Sequence, residues 1–283
     1  MLEKISDRVY YMMNADETDR PVLGVVIGDH GSLIIDAGNS PEHANEFKKE
    51  LDALNLPPVK YLVITHYHWD HTFGIREWDA VSVANQLTID HMDRYRRFKF
   101  DDNSLELARQ AGVYSEYSVK CIKAEFQDQD REHFSLGDID ICYYDRMKID
   151  LGGVTCEVCN IISPHTDDST IVYVPEEKVL FLGDCIYGNS KNGNNYFDPA
   201  ELFPMVDVIE QYKADYYICS HESACTREEI VAYWQQLRTA YGIVSNCATL
   251  EEAVHAYREC FDREPSGDML FYLNSFGLSE TVV

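Results

Sequence analysis

The sequence predicts a mixed α/β fold in which two β-rich halves are covered by helices on their outer faces. Short apolar runs bounded by turn residues recur over the first 65 residues and again from about 139 to 182, which is typical of strands. Amphipathic helical patterns separate and follow these two groups of strands. Because each sheet must bury its apolar faces, two sheets enclosed by two helical layers are the expected arrangement.

The first half of the chain begins as a β meander. A turn at 29–31 separates the second and third strand-like runs, and an amphipathic helix is predicted over 41–54. Two further apolar runs, KYLVIT from Lys60 and VSVAN from Val81, predict two buried strands with a loop between them.

The charged and aromatic stretch over about 87–129 has helical patterns, and we interpret it as a helical insertion that covers one face. Strands then return up to Leu182, and an asparagine-rich loop over 187–198 leads to a helix and to the strand DYYICS. Helices over about 226–283 form a C-terminal extension. With 283 residues, 45% of them hydrophobic, the chain can bury a large core, and we predict a single domain over 1–283.

Composition limits the partners of the protein. The chain carries 24 Lys and Arg against 49 Asp and Glu, a formal net charge of −25. A surface of this sign repels polyanions over a Debye length of about 8 Å, which argues against nucleic acid as a substrate. No apolar stretch is long enough to span a membrane or to serve as a secretory signal, so no membrane partner is expected.

Cysteine usage points to the cytoplasm. The nine cysteines are odd in number and scattered, which suits reduced thiols rather than a disulfide framework. Cys156 and Cys159 lie three apart in a predicted strand, so they face opposite sides of the sheet. We interpret them as buried structural thiols rather than as a metal or redox pair.

Seven potential metal ligands follow directly after predicted strands. Imidazole and carboxylate are groups that borderline divalent ions such as Zn²⁺ accept. If these strands end at one sheet edge, the side chains converge there, and the sequence predicts a metal site. The seven residues are His66, His68, Asp70 and His71 after KYLVIT, His165 after CNIISP, Asp184 after KVLFLG and His221 after DYYICS.

The spacing within THYHWDH has a physical meaning. His66 and His68 are two residues apart, so on an extended segment they project to the same side and can hold one ion together. Asp70 and His71 would face a second ion beyond the turn. A lone pair of histidines at this spacing is weak evidence for a metal, but the whole string with three later ligands is specific.

These residues resemble the metallo-β-lactamase superfamily over roughly 9–223. The resemblance implies a four-layer αβ/βα sandwich that holds two divalent ions, with zinc favoured over iron, manganese or nickel. The pieces that carry it are IIDAG at 34–38, THYHWDH at 65–71, SPHTDDS at 163–169, LGD at 182–184 and SHES at 220–223.

The same resemblance implies a role for each ligand. Asp36 would support a ligand histidine or the ligand loop, or else serve as a turn former before Gly38. Asp70 and Asp184 would be the catalytic carboxylates. One ion would be held by His66, His68 and His165, the second by Asp70, His71 and His221, with Asp184 bridging both.

A site of this kind supports hydrolysis. Two divalent ions outweigh the charge of two aspartates, and they lower the pKa of a bridging water towards about 7. The resulting hydroxide would attack an ester, thioester, lactone, amide or phosphoester of a small molecule. Two alternatives stay open: an oxidoreductase with one iron that resembles persulfide dioxygenases, and a metal-binding protein without catalysis. The oligomeric state also stays open, a homodimer included.

Ligand identity separates this chain from several branches of the superfamily. Diiron oxygen and nitric oxide reductases carry glutamate where this chain has His68. Lactamases with a cysteine ligand place it where this chain has Asp184, so Cys185 should point away from the metals. The tRNA-processing endonucleases favour basic surfaces, unlike this chain. The group of hydrolases that contains glyoxalase II and the lactonases remains.

Two departures from the common motifs leave the substrate open. Residues 164–169 read Pro-His-Thr-Asp-Asp-Ser in place of Gly-His-Thr-x-Gly-Ser, and Cys-Ser replaces Pro-Gly before His221. The C-terminal helices also lack the basic pattern by which glyoxalase II would bind glutathione.

Substrate contacts are expected from the loops 14–20 and 187–198, because loops on a rigid scaffold commonly supply binding groups. Tyr187 and Tyr196 are expected to pack or to face solvent, and donation to a developing oxyanion is the alternative role for each. Three further histidines without a strand-end position, His91, His133 and His255, are expected to be surface or helix residues.

Overall fold

A seven-stranded sheet from the first half of the chain faces a six-stranded sheet from the second half. The computed structural model describes residues 2–126, 131–191 and 194–277. In the first sheet the strands lie in chain order, antiparallel up to the fourth and parallel from the fourth to the seventh. They are β1 (Leu2–Lys4), β2 (Val9–Met12), β3 (Leu23–Ile27), β4 (Ser32–Ile35), β5 (Val59–Val63), β6 (Val81–Asn85) and β7 (Ile141–Tyr143).

The second sheet has the order β15-β14-β11-β10-β9-β8, in which only β11 and β14 are parallel neighbours. Its strands are β8 (Arg146–Asp150), β9 (Thr155–Asn160), β10 (Thr170–Val174), β11 (Val179–Gly183), β14 (Tyr216–Cys219) and β15 (Cys225–Thr226).

The asparagine-rich segment is where the sequence prediction of a loop is wrong. β12 (Asn189–Lys191) and β13 (Asn194–Tyr196) pair there as a separate antiparallel hairpin, and residues 192–193 lie outside the described ranges. Asparagine is depleted in strands, so composition favoured a loop, but strand preference depends on the pairing partner more than on the residue alone.

Helices cover both sheets. Polar caps begin several of them: Ser40 accepts a hydrogen bond from the backbone N–H of His43, and Thr226 forms a capping box with Glu229. The helices are α1 (Pro41–Asp52), α2 (Trp69–Thr72), α3 (Gln86–Tyr95), α4 (Asp102–Gln110), α5 (Glu116–Glu125), α6 (Pro199–Ile209), α7 (Arg227–Val244), α8 (Leu250–Phe261) and α9 (Gly267–Asn274).

The predicted insertion over 87–129 contains α3, α4 and α5, and residues 127–129 lie outside the described ranges. The predicted extension over 226–283 contains α7, α8 and α9, and residues 278–283 lie outside them too. None of the helices in the described part of the chain has the length and apolar character needed to cross a lipid bilayer.

Buried side chains form successive layers that confirm the predicted sandwich. One core lies between the first sheet and the helices that cover it, which are α1 and the insertion helices. A second core lies between the two sheets. A third core lies between the second sheet and the helices α6 and α7. Cys156 belongs to the core between the sheets, whereas Cys159 packs on the outer side of its strand, as their spacing predicts. Cys159 is only half-buried, so the expectation of two buried thiols holds for Cys156 alone.

Candidate metal centre

The seven predicted ligands come together in two groups that share one residue. In each group the candidate ligand atoms all lie within 4.8 Å of one another, and Asp184 belongs to both. The first group is His66, His68, His165 and Asp184, and the second is Asp70, His71, Asp184 and His221.

These side chains come from both sheets, so the expectation of one shared sheet edge is wrong. β5 belongs to the first sheet, whereas β9, β11 and β14 belong to the second. The site therefore lies where strands of the two sheets end next to each other. His66 and His68 follow β5, Asp70 and His71 lie in α2, His165 lies between β9 and β10, Asp184 follows β11 and His221 follows β14.

The first group has the spacing of ligands around one ion. His68 Nδ1 lies 2.9 Å from His66 Nε2 and 3.0 Å from His165 Nε2. Asp184 Oδ2 lies 3.4 Å from His165 Nε2 and 3.8 Å from His66 Nε2. Ligands bound at about 2.0–2.1 Å to one tetrahedral ion lie about 3.3 Å apart, so these four atoms fit a divalent cation such as zinc.

The second group has the same spacing. His71 Nε2 lies 3.0 Å from Asp70 Oδ2 and 3.5 Å from Asp184 Oδ1. His221 Nε2 lies 3.3 Å from Asp70 Oδ2 and 3.4 Å from Asp184 Oδ2. His71 Nε2 and Asp184 Oδ1 are buried and make no hydrogen bond within the described residues. Buried polar atoms normally have a partner, and a cation between these two would supply one.

Burial and charge affect the histidines of the two groups differently. Burial lowers the pKa of His66 well below its usual value and that of His68 to about 3, so both rings are neutral, the form that binds metals. Burial also acts on His71 and His221, but the neighbouring carboxylates outweigh it and raise the pKa of both well above the usual value. Cations bound here would replace those protons.

Asp36 holds the ligand loop from behind. Its Oδ2 lies 2.8 Å from His71 Nδ1, and its two oxygens accept hydrogen bonds from the backbone N–H and the hydroxyl of Thr65. The backbone of Asp36 also has a φ of 64°, a left-handed conformation that aspartate adopts more readily than most residues. Both interpretations of this residue, support and turn former, therefore hold.

The 14–20 loop borders the site as predicted, and it contributes a carboxylate that the sequence did not reveal. Asn14 donates a hydrogen bond to the backbone oxygen of His221. Asp19 Oδ1 lies 3.8 Å from His221 Nδ1 and accepts a hydrogen bond from the Tyr117 hydroxyl. Burial, together with the neighbouring Asp70 carboxylate, raises the pKa of Asp19 to about 6. No local motif marks Asp19, because only the tertiary fold brings it to the histidines.

The departure at 168 also has a structural role. The buried Asp168 accepts a hydrogen bond from the backbone N–H of Tyr67, between the two candidate ligands His66 and His68. Asp167 Oδ1 lies 2.7 Å from His91 Nε2.

The histidines outside the ligand string differ in their surroundings. His91 lies on α3, as expected. Its ring also contacts the wall of the site, because the ring centroid lies 4.6 Å from that of Tyr67. Together with Asp167 and Asp168 it forms a third group of potential ligands. The two consecutive aspartates at 167 and 168 were the feature of the sequence that could have indicated this third group. His255 is an exposed residue of α8, and His133 ends a short 3₁₀ helix.

A cavity of about 430 Å³ opens over the two ligand groups. Tyrosine rings from the insertion and the 187–198 segment line it, and in the described part of the chain its lining contains no Lys or Arg.

Tyr187 is part of the wall of this cavity, and its hydroxyl accepts a hydrogen bond from the backbone N–H of His221. Tyr196 does not line the cavity but lies on β13 beside Gly277, which agrees with the packing interpretation of this residue and not with the oxyanion role. Cys185 points into the outer core, away from the site, as predicted.

The fold and the paired His/Asp groups together define a metal-binding protein of the layered αβ/βα type. A family model described as the metallo-beta-lactamase superfamily matches residues 18–221. The chain belongs to this superfamily, as its motifs predict.

Individual relatives are distant. A linear primary-alkylsulfatase from a Pseudomonas strain is 19% identical over 76% of this chain and 44% of its own length. A beta-lactamase-like protein 2 homolog from Caenorhabditis elegans is 26% identical over 66% of this chain and 52% of its own. This chain thus spans about half the length of the curated relatives it matches. A solved metallo-beta-lactamase from Pontibacter korlensis aligns with a TM-score of 0.54 at 21% identity, covering 83% of this chain and 97% of that one, and supports the fold.

Proposed function

We propose that the protein is a hydrolase of small molecules that uses two divalent cations, with zinc the favoured metal. The observation that carries this proposal is the position of Asp184, whose carboxylate lies between the two histidine groups. A carboxylate shared in this way can hold two cations next to each other. Histidine and carboxylate ligands suit zinc, although iron, manganese and nickel accept similar sets.

Different residues of the chain would bind the cations, orient a ligand and contact the substrate. Two divalent cations, when bound, supply Lewis acidity and a water of lowered pKa. His66, His68 and His165 would hold one cation as neutral ligands, and Asp70, His71 and His221 would hold the other. Asp36 fixes the orientation of the His71 ring from its Nδ1 side. Tyr187 lines the cavity wall, and its hydroxyl would donate to an oxyanion that forms on the substrate.

The cavity suggests which substrates fit. A volume of about 430 Å³ admits a small molecule and not a polymer. The net charge of −25 disfavours nucleic acid. Carboxylic esters, thioesters, lactones, amides and phosphoesters all remain candidates, and the alkylsulfatase relative adds sulfate esters to them. All nine cysteines are free thiols, which supports the proposed cytoplasmic setting.

The proposal is tested by metal analysis followed by a hydrolase panel over these bond types on protein of verified metal content. We expect close to two ions per chain and turnover of at least one class. Asp184→Asn should lower turnover by two or more orders of magnitude, whereas Asp207→Asn, an exposed change on α6, should not alter it. A variant at Asp184 that kept full activity would contradict the two-ion assignment.

The same experiment separates the alternatives. An enzyme with one iron would consume oxygen with a persulfide and hydrolyse nothing in the panel. A protein that only binds metal would contain the ions and show neither activity.

A further inference from the structure

A second cavity adjoins the one above the metal ligands. It has a volume of about 370 Å³ and lies beside the C-terminal end of α3. The two cavities share Tyr67, Tyr95 and Val113 as lining residues. Since Tyr67 follows the ligand His66 directly and its ring lies 4.5 Å from that of His68, the second cavity begins one residue away from the metal ligands.

The charges of the two cavities are opposite. Asp19, Asp70 and Asp184 line the first, whereas Arg94 and Arg97 line the second. Within the described residues the second cavity has no carboxylate in its lining. In a chain with 49 acidic and 24 basic residues, two guanidinium groups at one cavity are a local reversal of sign.

The neighbouring Arg96 takes part in ion pairs that Arg94 and Arg97 do not share. Arg96 contacts the carboxylates of Asp93 and Asp138 and donates to the backbone oxygen of Gly137. In the described part of the chain no carboxylate forms an ion pair with Arg94 or Arg97, and both are exposed. Their guanidinium donors are therefore free to bind an anion.

The wall between the two cavities is aromatic. The rings of Tyr67 and Tyr95 lie 5.8 Å apart, and those of Tyr95 and Tyr114 are stacked at 4.8 Å. Phe98 and Val113 add apolar surface on the arginine side. An apolar chain lying along this wall would connect the acidic metal site to the basic cavity.

We propose that the arginine cavity is a subsite for an oxyanion at the far end of the substrate. This rests on the proposed function, since the bond to be hydrolysed would lie at the metal site. The substrate class is then a small molecule with an apolar middle segment and a carboxylate, sulfate or phosphate at the end away from the reactive bond. Guanidinium binds such oxyanions through paired, charge-assisted hydrogen bonds.

The first test measures binding, independently of turnover. Calorimetric titrations of the metal-loaded protein with α,ω-dicarboxylates from succinate to suberate are compared with monocarboxylates of equal length. We expect one length of dicarboxylate to bind roughly tenfold more tightly than its monocarboxylate, because its second carboxylate reaches the arginines. The double variant Arg94→Gln, Arg97→Gln should lose this tenfold advantage and keep the affinity for monocarboxylates. Lys99→Gln, which removes one exposed positive charge outside both cavities, should keep both properties.

Several results would overturn the subsite. If the double variant still binds the dicarboxylate about tenfold more tightly than the monocarboxylate, the arginines do not bind the second carboxylate. They are then solvated charges that stabilise the C-terminal end of the helix. If the native protein shows no dependence on length, any anion bound by the arginines is unconnected with the metals. Equal metal content and melting temperature in all variants exclude a folding defect as the cause.

The second test uses turnover and separates this inference from the proposed function. For an ester that carries a free distal carboxylate, the double variant should raise KM roughly tenfold and leave kcat unchanged. For the same ester with the distal carboxylate methylated, neither constant should change. Loss of dicarboxylate binding without any hydrolysis would support the subsite and contradict the hydrolase. Hydrolysis with equal KM values for both esters in both proteins would support the hydrolase and overturn the subsite.

Discussion

Asp36 Oδ2 lies 2.8 Å from His71 Nδ1, on the opposite side of the imidazole ring from Nε2, which lies 3.0 Å from Asp70 Oδ2. The ring is therefore held between two carboxylates, one behind it and one beside it in the candidate metal centre. An arrangement of this kind fixes the tautomer and raises the basicity of the nitrogen that faces a metal.

Asp36→Asn should lower the affinity for one metal ion by about 10- to 100-fold, because an amide is a weaker partner for the imidazole N–H. Asparagine also tolerates the positive φ of 64° at this position, so the backbone should keep its conformation. Competition with a chromogenic chelator measures the affinity. Asp262→Asn is the matched control, an aspartate with a φ of 50° at the end of α8. Unchanged affinity in Asp36→Asn would show that the contact does not support metal binding.

The sequence named the candidate ligands more completely than the sheets that carry them. Residues after apolar strands are visible in a local pattern, so all seven candidate ligands could be named. The parallel pairing of β4 with β5, and of β11 with β14, joins segments that are distant in sequence. Local periodicity does not specify such pairing, and the division of the ligands between two sheets was missed for this reason.

Other parts of the site were missed for different reasons. α2 has only four residues, too few for a helical period, and two of them are candidate ligands. Asp19 and Asp168 reach the site through contacts with residues far along the chain, such as Tyr117 and Tyr67. Of the two tyrosines considered as oxyanion donors, only Tyr187 lines the cavity, because Tyr196 lies in the hairpin of β12 and β13.

Gly183→Ala should destabilise the fold and weaken metal binding together. The backbone φ is 56°, and a Cβ atom here would lie 2.9 Å from both Cβ and Oγ1 of Thr65. Left-handed backbone costs a residue with a Cβ about 1–2 kcal/mol, and the collision adds to this. Because Thr65 donates to Asp36, displacing it disturbs the support of His71.

Gly112→Ala is the matched control for this change. Its φ is 72°, but a Cβ atom there would have no neighbour within 4 Å. Denaturant unfolding should show a loss of about 1 kcal/mol for Gly112→Ala with unchanged metal affinity, and a larger loss with weaker affinity for Gly183→Ala. Equal effects of the two variants would rule out the contact with Thr65 as the cause.

Glu125 links the helical insertion to the loop that carries Asp19. This buried carboxylate, at the end of α5, accepts hydrogen bonds from Arg20, Thr18 and Ser40. Burial alone would raise the pKa of Glu125, but these donors hold it below its usual value. Its contribution is therefore fully present above the unfolded pKa, and it is lost as the pH falls through the lowered folded pKa.

Glu125→Gln should lower the free energy of unfolding by about 2–4 kcal/mol at pH 7, because Arg20 loses its buried partner. Glu46→Gln removes the other carboxylate that contacts Arg20, but that side chain is 51% exposed, so a loss below about 1 kcal/mol is expected. Urea titrations of both variants provide the comparison. Similar losses would mean that the buried pair contributes no more to stability than the exposed one.

His43, in the first turn of α1, makes the stability of the fold depend on pH. The side chain is 1% exposed, its Nδ1 accepts a hydrogen bond from the backbone N–H of Asn39, and its Nε2 makes none within the described residues. Burial lowers the pKa of His43 to about 3 from a usual value of 6.5.

Between about pH 3 and pH 6.5 the unfolded chain therefore binds more protons than the folded one. His43 lowers the free energy of unfolding as the pH falls below 6.5, by up to about 1.4 kcal/mol per pH unit. His43→Asn keeps an acceptor for Asn39 and cannot be protonated, so its stability relative to that of the native chain should increase as the pH falls towards 4, whatever constant loss the smaller side chain causes. Urea unfolding at several pH values measures the difference, and the exposed change His255→Asn on α8 should leave the native slope unaltered. Parallel curves for the native chain and His43→Asn would mean that protonation of His43 is not coupled to unfolding.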